Sequence, residues 1–148
     1  AIKDYFKQEL DLLYLISPLE GLWDTYDNSQ FDVTRKKMIK FTLMIAQPKV
    51  LNEETFEKIK EYVAAKKDNP YIVDAYLKKY TEGKCVQMLH KGAYNTEIDT
   101  TIQIMEYITI QNMKLIGLHH EIYLNDPEKV SPDKLKTIVR YAIEEEGV

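Results

Sequence analysis

Hydrophobic side chains recur at helical spacing in three stretches of the chain. Residues 2–16 show the first pattern, so we predict a helix whose periodicity weakens near Asp11 and which Pro18 stops. Asn52 begins a second helix, because its side chain can cap the first turn and acidic residues follow it. Residues 96–113 are long enough to favour a third helix despite their many β-branched residues. The spacing of Ile98, Ile102 and Met105 also favours a helix over a strand.

Several other stretches alternate or are rich in β-branched and aromatic residues, which is typical of strands. The predicted strands are 19–27, 39–48, 72–82, 84–92, 118–124 and 135–143. A hairpin turn is expected at Glu82–Lys84, and a polar loop at 28–37. Strands between isolated helices predict an α+β fold, in which helices cover one face of a mainly antiparallel sheet.

The order of predicted elements repeats along the chain. The second half runs strand, helix, strand, strand, and the first half runs helix, strand, strand. We therefore expect one domain over 1–148 with half-repeats at about 1–50 and 84–143, linked by a helix and strand over 52–82. The missing first strand of the first half-repeat is expected to precede Ala1.

The run 118–124 places an acid in the middle of an alternating pattern. One side carries His119, Glu121 and Tyr123, and the other carries His120, Ile122 and Leu124. A period of two predicts a half-buried strand. Glu121 then lies either on a solvated surface, the usual place for glutamate, or at the floor of a concave site that selects a cation. The pattern leaves both interpretations open.

Composition narrows the classes of partner. With 148 residues and 45% hydrophobic content the chain suits one domain, and its net charge of -4 argues against a broad basic surface for nucleic acid. The single cysteine, Cys85, cannot form an internal disulfide, so we expect a cytoplasmic protein. No apolar run approaches the roughly 20 residues that span a bilayer, so no membrane association is expected. The sequence does not indicate an oligomeric state.

Several kinds of chemistry find little support. His119 and His120 are adjacent on a predicted strand and point to opposite faces, so neither a metal nor another cofactor is expected. Cys85 and His90 lie an odd number of residues apart and also face opposite ways. No nucleophile elbow or phosphate-binding glycine loop is present. The basic cluster 35–37 is interpreted as a solvated part of the loop 28–37.

What remains is a carboxylate near aromatic residues. Trp23 and Tyr94 would join Glu121 and Tyr123 if the two half-repeats face one another, although ordinary core packing would explain these rings equally well. A carboxylate walled by aromatic rings can receive flat cationic molecules. Burial would also raise the pKa of Glu121, which suits a general acid or base.

Five motifs together resemble one known family. They are EGLW at 20–23, FTLMIAQP at 41–48, EGKCVQMLHKGAY at 82–94, GLHHEIYLNDP at 117–127 and SPDKLKTIVR at 131–140. In this combination the chain resembles the GyrI-like small-molecule-binding domain, in particular its stand-alone bacterial and archaeal members. The resemblance implies two pseudo-symmetric β-α-β-β units with a ligand cleft between them. It also implies that the opening strand of the first unit precedes Ala1.

The resemblance implies roles for particular residues. Glu121 corresponds to the central acid of the cleft, and the ligand-binding residues are Glu121, Trp23, Tyr94, Tyr123 and His119. The catalytic pair of a hydrolytic member would be Glu121 and Tyr94. Asp24 stands where the family commonly has an aromatic residue, which would add an acid near the cleft.

The function implied is binding of bulky, flat, hydrophobic and often cationic small molecules. Some stand-alone members are implied to hydrolyse reactive cyclopropane-bearing aromatic compounds, a detoxification. Two alternatives stay open: a protein-interaction module that inhibits gyrase, with the acidic stretch 144–146 as a candidate surface or solvated tail, and the effector-sensing part of a transcription regulator. No DNA-binding helix pair is evident in the sequence.

Overall fold

The computed structural model describes residues 1–25, 39–66 and 70–145, in which the chain forms two compact units. The first unit comprises 1–17 and 46–80, and the second comprises 18–45 and 81–148. The predicted loop 28–37, with its basic cluster, lies outside the described residues.

The described part of the first unit contains two α-helices, α1 (Ile2–Leu10) and α2 (Glu53–Lys66). The predicted first helix is present, but it ends before Pro18, because Asp11 adopts a left-handed conformation with φ of 48° and closes the last turn on the carbonyl of Phe6. The Asn52 side chain caps α2 by accepting a hydrogen bond of 2.8 Å from the backbone N–H of Thr55. The buried cluster of this unit is formed by Phe6, Leu51, Ile59 and Val63.

The predicted strand over 72–82 is wrong, and so is the hairpin that it would form. Pro70–Asp74 forms a 3-10 helix, and no regular strand precedes residue 85 in this segment. Ile72 and Leu77 pack against the buried cluster of the first unit. Their spacing of five residues does not follow the period of two in the sequence, so contacts with the helices override the strand pattern.

In its described residues, the second unit is a six-stranded antiparallel sheet with one α-helix. Its strands are β1 (Leu19–Thr25), β2 (Ile39–Ile45), β3 (Cys85–Lys91), β4 (Met113–Leu115), β5 (His119–Tyr123) and β6 (Lys136–Glu145), and its helix is α3 (Glu97–Ile110). The order is β2-β1-β5-β6-β3, and the short β4 pairs with the far end of β6. The α+β class is confirmed, and β4 is an element that the sequence did not predict.

Helix α3 packs on one face of the sheet through a buried apolar cluster. The cluster consists of Ile104, Ile108, Val139, Tyr141 and Ile143. The predicted third helix is confirmed as α3. The three residues whose spacing indicated it are not its buried side, because Ile98 and Ile102 are 51% and 48% exposed and Met105 is only partly buried. The buried side of α3 includes the polar residues Glu97 and Thr100, which apolar periodicity cannot identify.

The C-terminal acidic stretch is part of the sheet rather than a tail, as far as it is described. Glu144 and Glu145 belong to β6, and Glu145 forms an ion pair with Lys84, while residue 146 lies outside the described residues. Across the described ranges, no helix has the length and apolar character that crossing a membrane requires. The pseudo-symmetry of two half-repeats and an opening strand before Ala1 stay predictions.

Candidate functional site

Strand β5 occupies the centre of the sheet, hydrogen-bonded to β1 on one edge and to β6 on the other. Four successive residues of this strand, from 119 to 122, are buried, so the strand is covered on both faces. Glu121 is only 8% exposed. The interpretation of Glu121 as a solvated surface residue is therefore wrong, and its carboxylate needs partners inside the protein.

Two donors satisfy the Glu121 carboxylate. Nε2 of His119 lies 2.8 Å from Oε1, and the Tyr123 hydroxyl donates to Oε2 over 2.6 Å. Burial alone would raise the pKa of Glu121, but these hydrogen bonds outweigh it and hold the pKa below its ordinary value of 4.5. The expected rise in its pKa is thus wrong, and Glu121 is a carboxylate at neutral pH.

Aromatic rings surround this carboxylate. The indole Nε1 of Trp23 donates to the Tyr123 hydroxyl over 3.1 Å, and the Tyr94 and Tyr123 rings meet edge to face at 6.0 Å. Trp23 also packs on Phe41, with ring centroids 5.1 Å apart. The structure brings all five predicted site residues together: Trp23, Tyr94, His119, Glu121 and Tyr123.

Gly21 makes this arrangement possible. It pairs with Glu121 across β1 and β5, so both lie on the same face of the sheet. A Cβ atom at position 21 would lie 2.8 Å from Nε1 of Trp23 and 3.1 Å from the Tyr123 hydroxyl. Only a residue without a side chain leaves room for the hydrogen bond between these two rings.

An apolar wall extends from the carboxylate toward the sheet edge. Leu43 pairs with Gly21, and Phe41 pairs with Trp23, so their side chains share the face of Glu121. Phe41 and Leu43 are 58% and 53% exposed. A buried anion and an accessible apolar surface therefore lie side by side.

Glu97 is a site residue that the sequence analysis missed. It is the first residue of α3, it is buried, and its Oε1 lies 3.1 Å from Nε2 of His119. Its Oε2 has no hydrogen-bond partner among the described residues. Burial, and secondarily the negative charge of Glu121, raise the pKa of Glu97. An acid in the first helical turn also suits the helix dipole, so the sequence offered no separate signal for its position.

His119 links the two acids. Burial opposes its protonation, but hydrogen bonds to Glu121 and Glu97 outweigh burial and raise the pKa of His119. The imidazolium donates from Nε2 to both carboxyl groups and from Nδ1 to the hydroxyl of Tyr141. One cation thus stands between two acids in a buried site.

The same three residues meet the distance requirement of a metal site. One donor atom from each of Glu97, His119 and Glu121 lies within 4.8 Å of the other two. However, Nε2 of His119 is within hydrogen-bonding distance of both carboxylates, so a proton on this nitrogen occupies the space between the donors. We interpret the group as a hydrogen-bonded network, and the prediction that no metal binds stays a prediction.

The opposite face of the strand carries a second polar network. His120 contacts Glu20 through Nε2 at 2.8 Å and Glu82 through Nδ1 at 2.9 Å, and Arg140 also contacts Glu82. Asp24 lies on this face of β1 and pairs with Lys40 at 2.9 Å. The expectation that Asp24 adds an acid beside Glu121 is therefore wrong.

Two open grooves in the described part of the second unit do not include Glu121. One, of about 450 Å³, follows the outer side of α3 around Ile98 and Ile102. The other, of about 600 Å³, lies between β3 and α3 near Val86 and Tyr107. At Glu121 itself, the Tyr123 hydroxyl lies against Oε2 and donates a hydrogen bond to it.

Comparison with known proteins supports the resemblance. The family model described as GyrI-like small molecule binding domain matches residues 5–143. A crystal structure of an uncharacterized conserved protein from Listeria innocua is 32% identical with a TM-score of 0.88, and 97% of this chain matches 73% of that chain.

Two further crystal structures, each described as a hydrolase from Listeria innocua, are 28% and 29% identical, with TM-scores of 0.80 and 0.84. Each match again covers 97% of this chain, and it extends over 72% and 74% of the two hydrolase chains. None of the curated proteins compared with the chain matches it.

Proposed function

Since the chain belongs to the family of GyrI-like small-molecule-binding domains, we propose that it binds bulky, flat, hydrophobic cations at Glu121. The observation that carries the proposal is a buried, ionised carboxylate beside accessible aromatic and apolar side chains on one face of the sheet. A cation can pair with the acid while its apolar body covers the wall formed by Trp23, Phe41 and Leu43.

Ligand entry requires a local change in the hydrogen bonds. Tyr123 donates to Oε2 of Glu121 and accepts from Trp23, so its hydroxyl stands where a cation would approach. A cationic group that displaces this hydroxyl replaces a neutral donor with a charged one, which strengthens the interaction with the carboxylate. Neutral flat molecules lack this gain, so the site selects for positive charge.

Titration of ethidium, a planar aromatic cation, tests the proposal by its fluorescence. Glu121→Gln keeps the shape but removes the charge, and we expect its affinity to fall about 10- to 100-fold, since a charge-assisted hydrogen bond contributes roughly 1.5–3 kcal/mol. Neutral phenanthridine should bind both proteins alike. Glu106→Gln on the exposed side of α3 serves as the matched control. Equal ethidium affinity for the wild type and Glu121→Gln would refute the proposal.

A hydrolytic activity at the same site is the second proposal, and the two similar proteins described as hydrolases favour it. The ionised Glu121 can take a proton from water, whose oxygen then bonds to a cyclopropane carbon as one ring C–C bond breaks. The carbon that leaves with the bonding pair needs a proton. Burial and nearby carboxylates raise the pKa of Tyr94, so its hydroxyl stays protonated and can supply that proton.

Turnover of a cyclopropane-bearing aromatic compound checks this second proposal. Both Glu121→Gln and Tyr94→Phe should lower kcat at least 100-fold, because each removes a proton-transfer group. Tyr107→Phe on the exposed side of α3 should keep the wild-type rate. Ring opening that persists in Glu121→Gln would exclude the hydrolytic role and leave the binding proposal to the ethidium titration.

A further inference from the structure

We propose that Glu97 is a positioning residue for Glu121: it carries a proton in the ligand-free protein and releases that proton to the solvent when a cation binds at Glu121. The inference rests on the proposed binding function and deepens it. It makes cation affinity depend on pH through a residue that need not touch the ligand.

The buried network contains one histidine between two acids. Nε2 of His119 lies 3.1 Å from Oε1 of Glu97 and 2.8 Å from Oε1 of Glu121. The three side chains are almost entirely buried. If both acids were ionised, one imidazolium would face two negative charges, and an uncompensated charge away from water is costly. One proton shared within the acid pair removes that cost.

The hydrogen bonds decide which acid holds the proton. Both oxygens of Glu121 accept hydrogen bonds, from His119 and from Tyr123, which favours its ionised form. Glu97 accepts only through Oε1, and its buried Oε2 has no partner among the described residues. A neutral carboxyl tolerates such a position better than a carboxylate does. The opposite pKa shifts of the two acids agree with this assignment.

Other titratable groups near Glu97 do not compensate for its charge. Tyr94 precedes α3, Tyr123 lies on β5 and Tyr141 lies on β6, and burial raises the pKa of each. All three are therefore neutral at pH 7. In the described part of the chain, His119 and Glu121 are the charged groups that shift the pKa of Glu97.

A cation bound at Glu121 lowers the free-energy cost of ionising Glu97. Positive charge at Glu121 offsets one of the two negative charges, so the second carboxyl can ionise at little cost. Binding linked to release of one proton makes affinity rise by up to tenfold per pH unit over the range where free Glu97 keeps its proton. Above that range, affinity becomes independent of pH.

Calorimetric titration of the full chain with ethidium in phosphate and in Tris measures proton release directly. These buffers differ in ionisation enthalpy, so released protons alter the observed heat. We expect the wild type and the control Glu106→Gln to release close to one proton per ethidium at the pH where the release is greatest. Glu97→Gln mimics the neutral acid, so it should bind ethidium with almost no proton release and a nearly flat pH profile.

The outcomes separate the two proposals. Ethidium binding to the wild type without proton release between pH 5 and 9 overturns the role of Glu97 and leaves the binding function intact. The role is also overturned if Glu97→Gln releases as many protons as the wild type. Absence of ethidium binding to the wild type refutes the proposed function, and with it the linked proton release.

A measurement on the wild type tests the protonation of Glu97 without relying on a variant that could fail to fold. Carboxyl carbon chemical shifts in the ligand-free protein report the charge of each glutamate. Two buried glutamates should differ at pH 6, one protonated and one ionised, and addition of ethidium should move the protonated resonance toward its ionised position. If the shifts show both Glu97 and Glu121 ionised in the ligand-free protein at pH 6, the proposal fails.

Discussion

Two glutamates of one site differ in charge because of their neighbours. Glu121 accepts two hydrogen bonds and stays ionised. Glu97 accepts one, and its Oε2 is buried without a hydrogen-bond partner among the described residues. The side chains are chemically identical, so the sequence cannot distinguish their roles. The difference follows from the donors that β5 and α3 place around each carboxyl.

The Trp23 ring packs directly on Gly21, so a side chain at this position should disturb the site. Gly21→Ala places a Cβ atom 2.8 Å from Nε1 of Trp23, so the indole must shift and its hydrogen bond to Tyr123 weakens. We expect a loss of about 1–3 kcal/mol in the free energy of unfolding, as for other overpacked sites, and weaker ethidium binding. Urea unfolding and ethidium titration measure both effects.

Thr42→Ala on the exposed β2 strand is the control for Gly21→Ala, and it should leave ethidium affinity unchanged. If Gly21→Ala matched this control in both stability and affinity, the close approach of Trp23 to position 21 would have no functional consequence.

At the scale of elements, the sequence predicted what local chemistry determines. The helical pattern of α1 weakens near Asp11, where the helix ends, Asn52 caps α2, and the alternating run around Glu121 forms the predicted strand. The failures have tertiary causes. Residues 72–82 follow helix contacts rather than alternation, and α3 turns two polar residues inward because His119 and His90 receive them.

The Asn52 side chain stabilises the first turn of α2. Asn52→Ala removes the acceptor for the Thr55 N–H, so the first turn loses a hydrogen bond. We expect the free energy of unfolding to fall by about 1 kcal/mol, measured by circular dichroism in urea. Asn52→Asp retains an acceptor and should be as stable as the wild type. A fully stable Asn52→Ala would show that water replaces the cap.

In the second unit, one face of the sheet carries both the apolar core under α3 and the candidate site. Helix α3 covers β6 and β3, while Phe41 and Leu43 on β2 keep the same face accessible beside Glu121. The predicted site residues came from the resemblance to the family, and the geometry brings them together. Glu97 was missed because its role depends on helix docking, which no local pattern encodes.

Stability should depend on pH in opposite ways for the two acids. The raised pKa of Glu97 means that its contribution to stability is complete below its ordinary value of 4.5 and is lost as pH rises through its folded-state pKa. The lowered pKa of Glu121 means that its contribution to stability is present above pH 4.5 and is lost as pH falls through its folded-state pKa. The contribution of His119 to stability is complete below pH 6.5 and is lost as pH rises through its raised folded-state pKa.

Urea unfolding between pH 5 and 9 tests these signs. The wild type should lose stability as pH rises across this range, and Glu97→Gln should lose less because it cannot ionise. Glu106→Gln should follow the wild type. A Glu97→Gln variant with the same pH dependence as the wild type would contradict a buried neutral acid at position 97.

The contact between Trp23 and Tyr123 has an optical consequence. Trp23 is the only tryptophan among the 148 residues, so the emission of the whole protein at long wavelength originates beside Glu121. The Tyr123 ring, whose hydroxyl accepts from the indole, can pass excitation to it. Any molecule that displaces the Tyr123 hydroxyl changes the surroundings of the indole N–H, so the unlabelled protein carries its own spectroscopic reporter of occupancy.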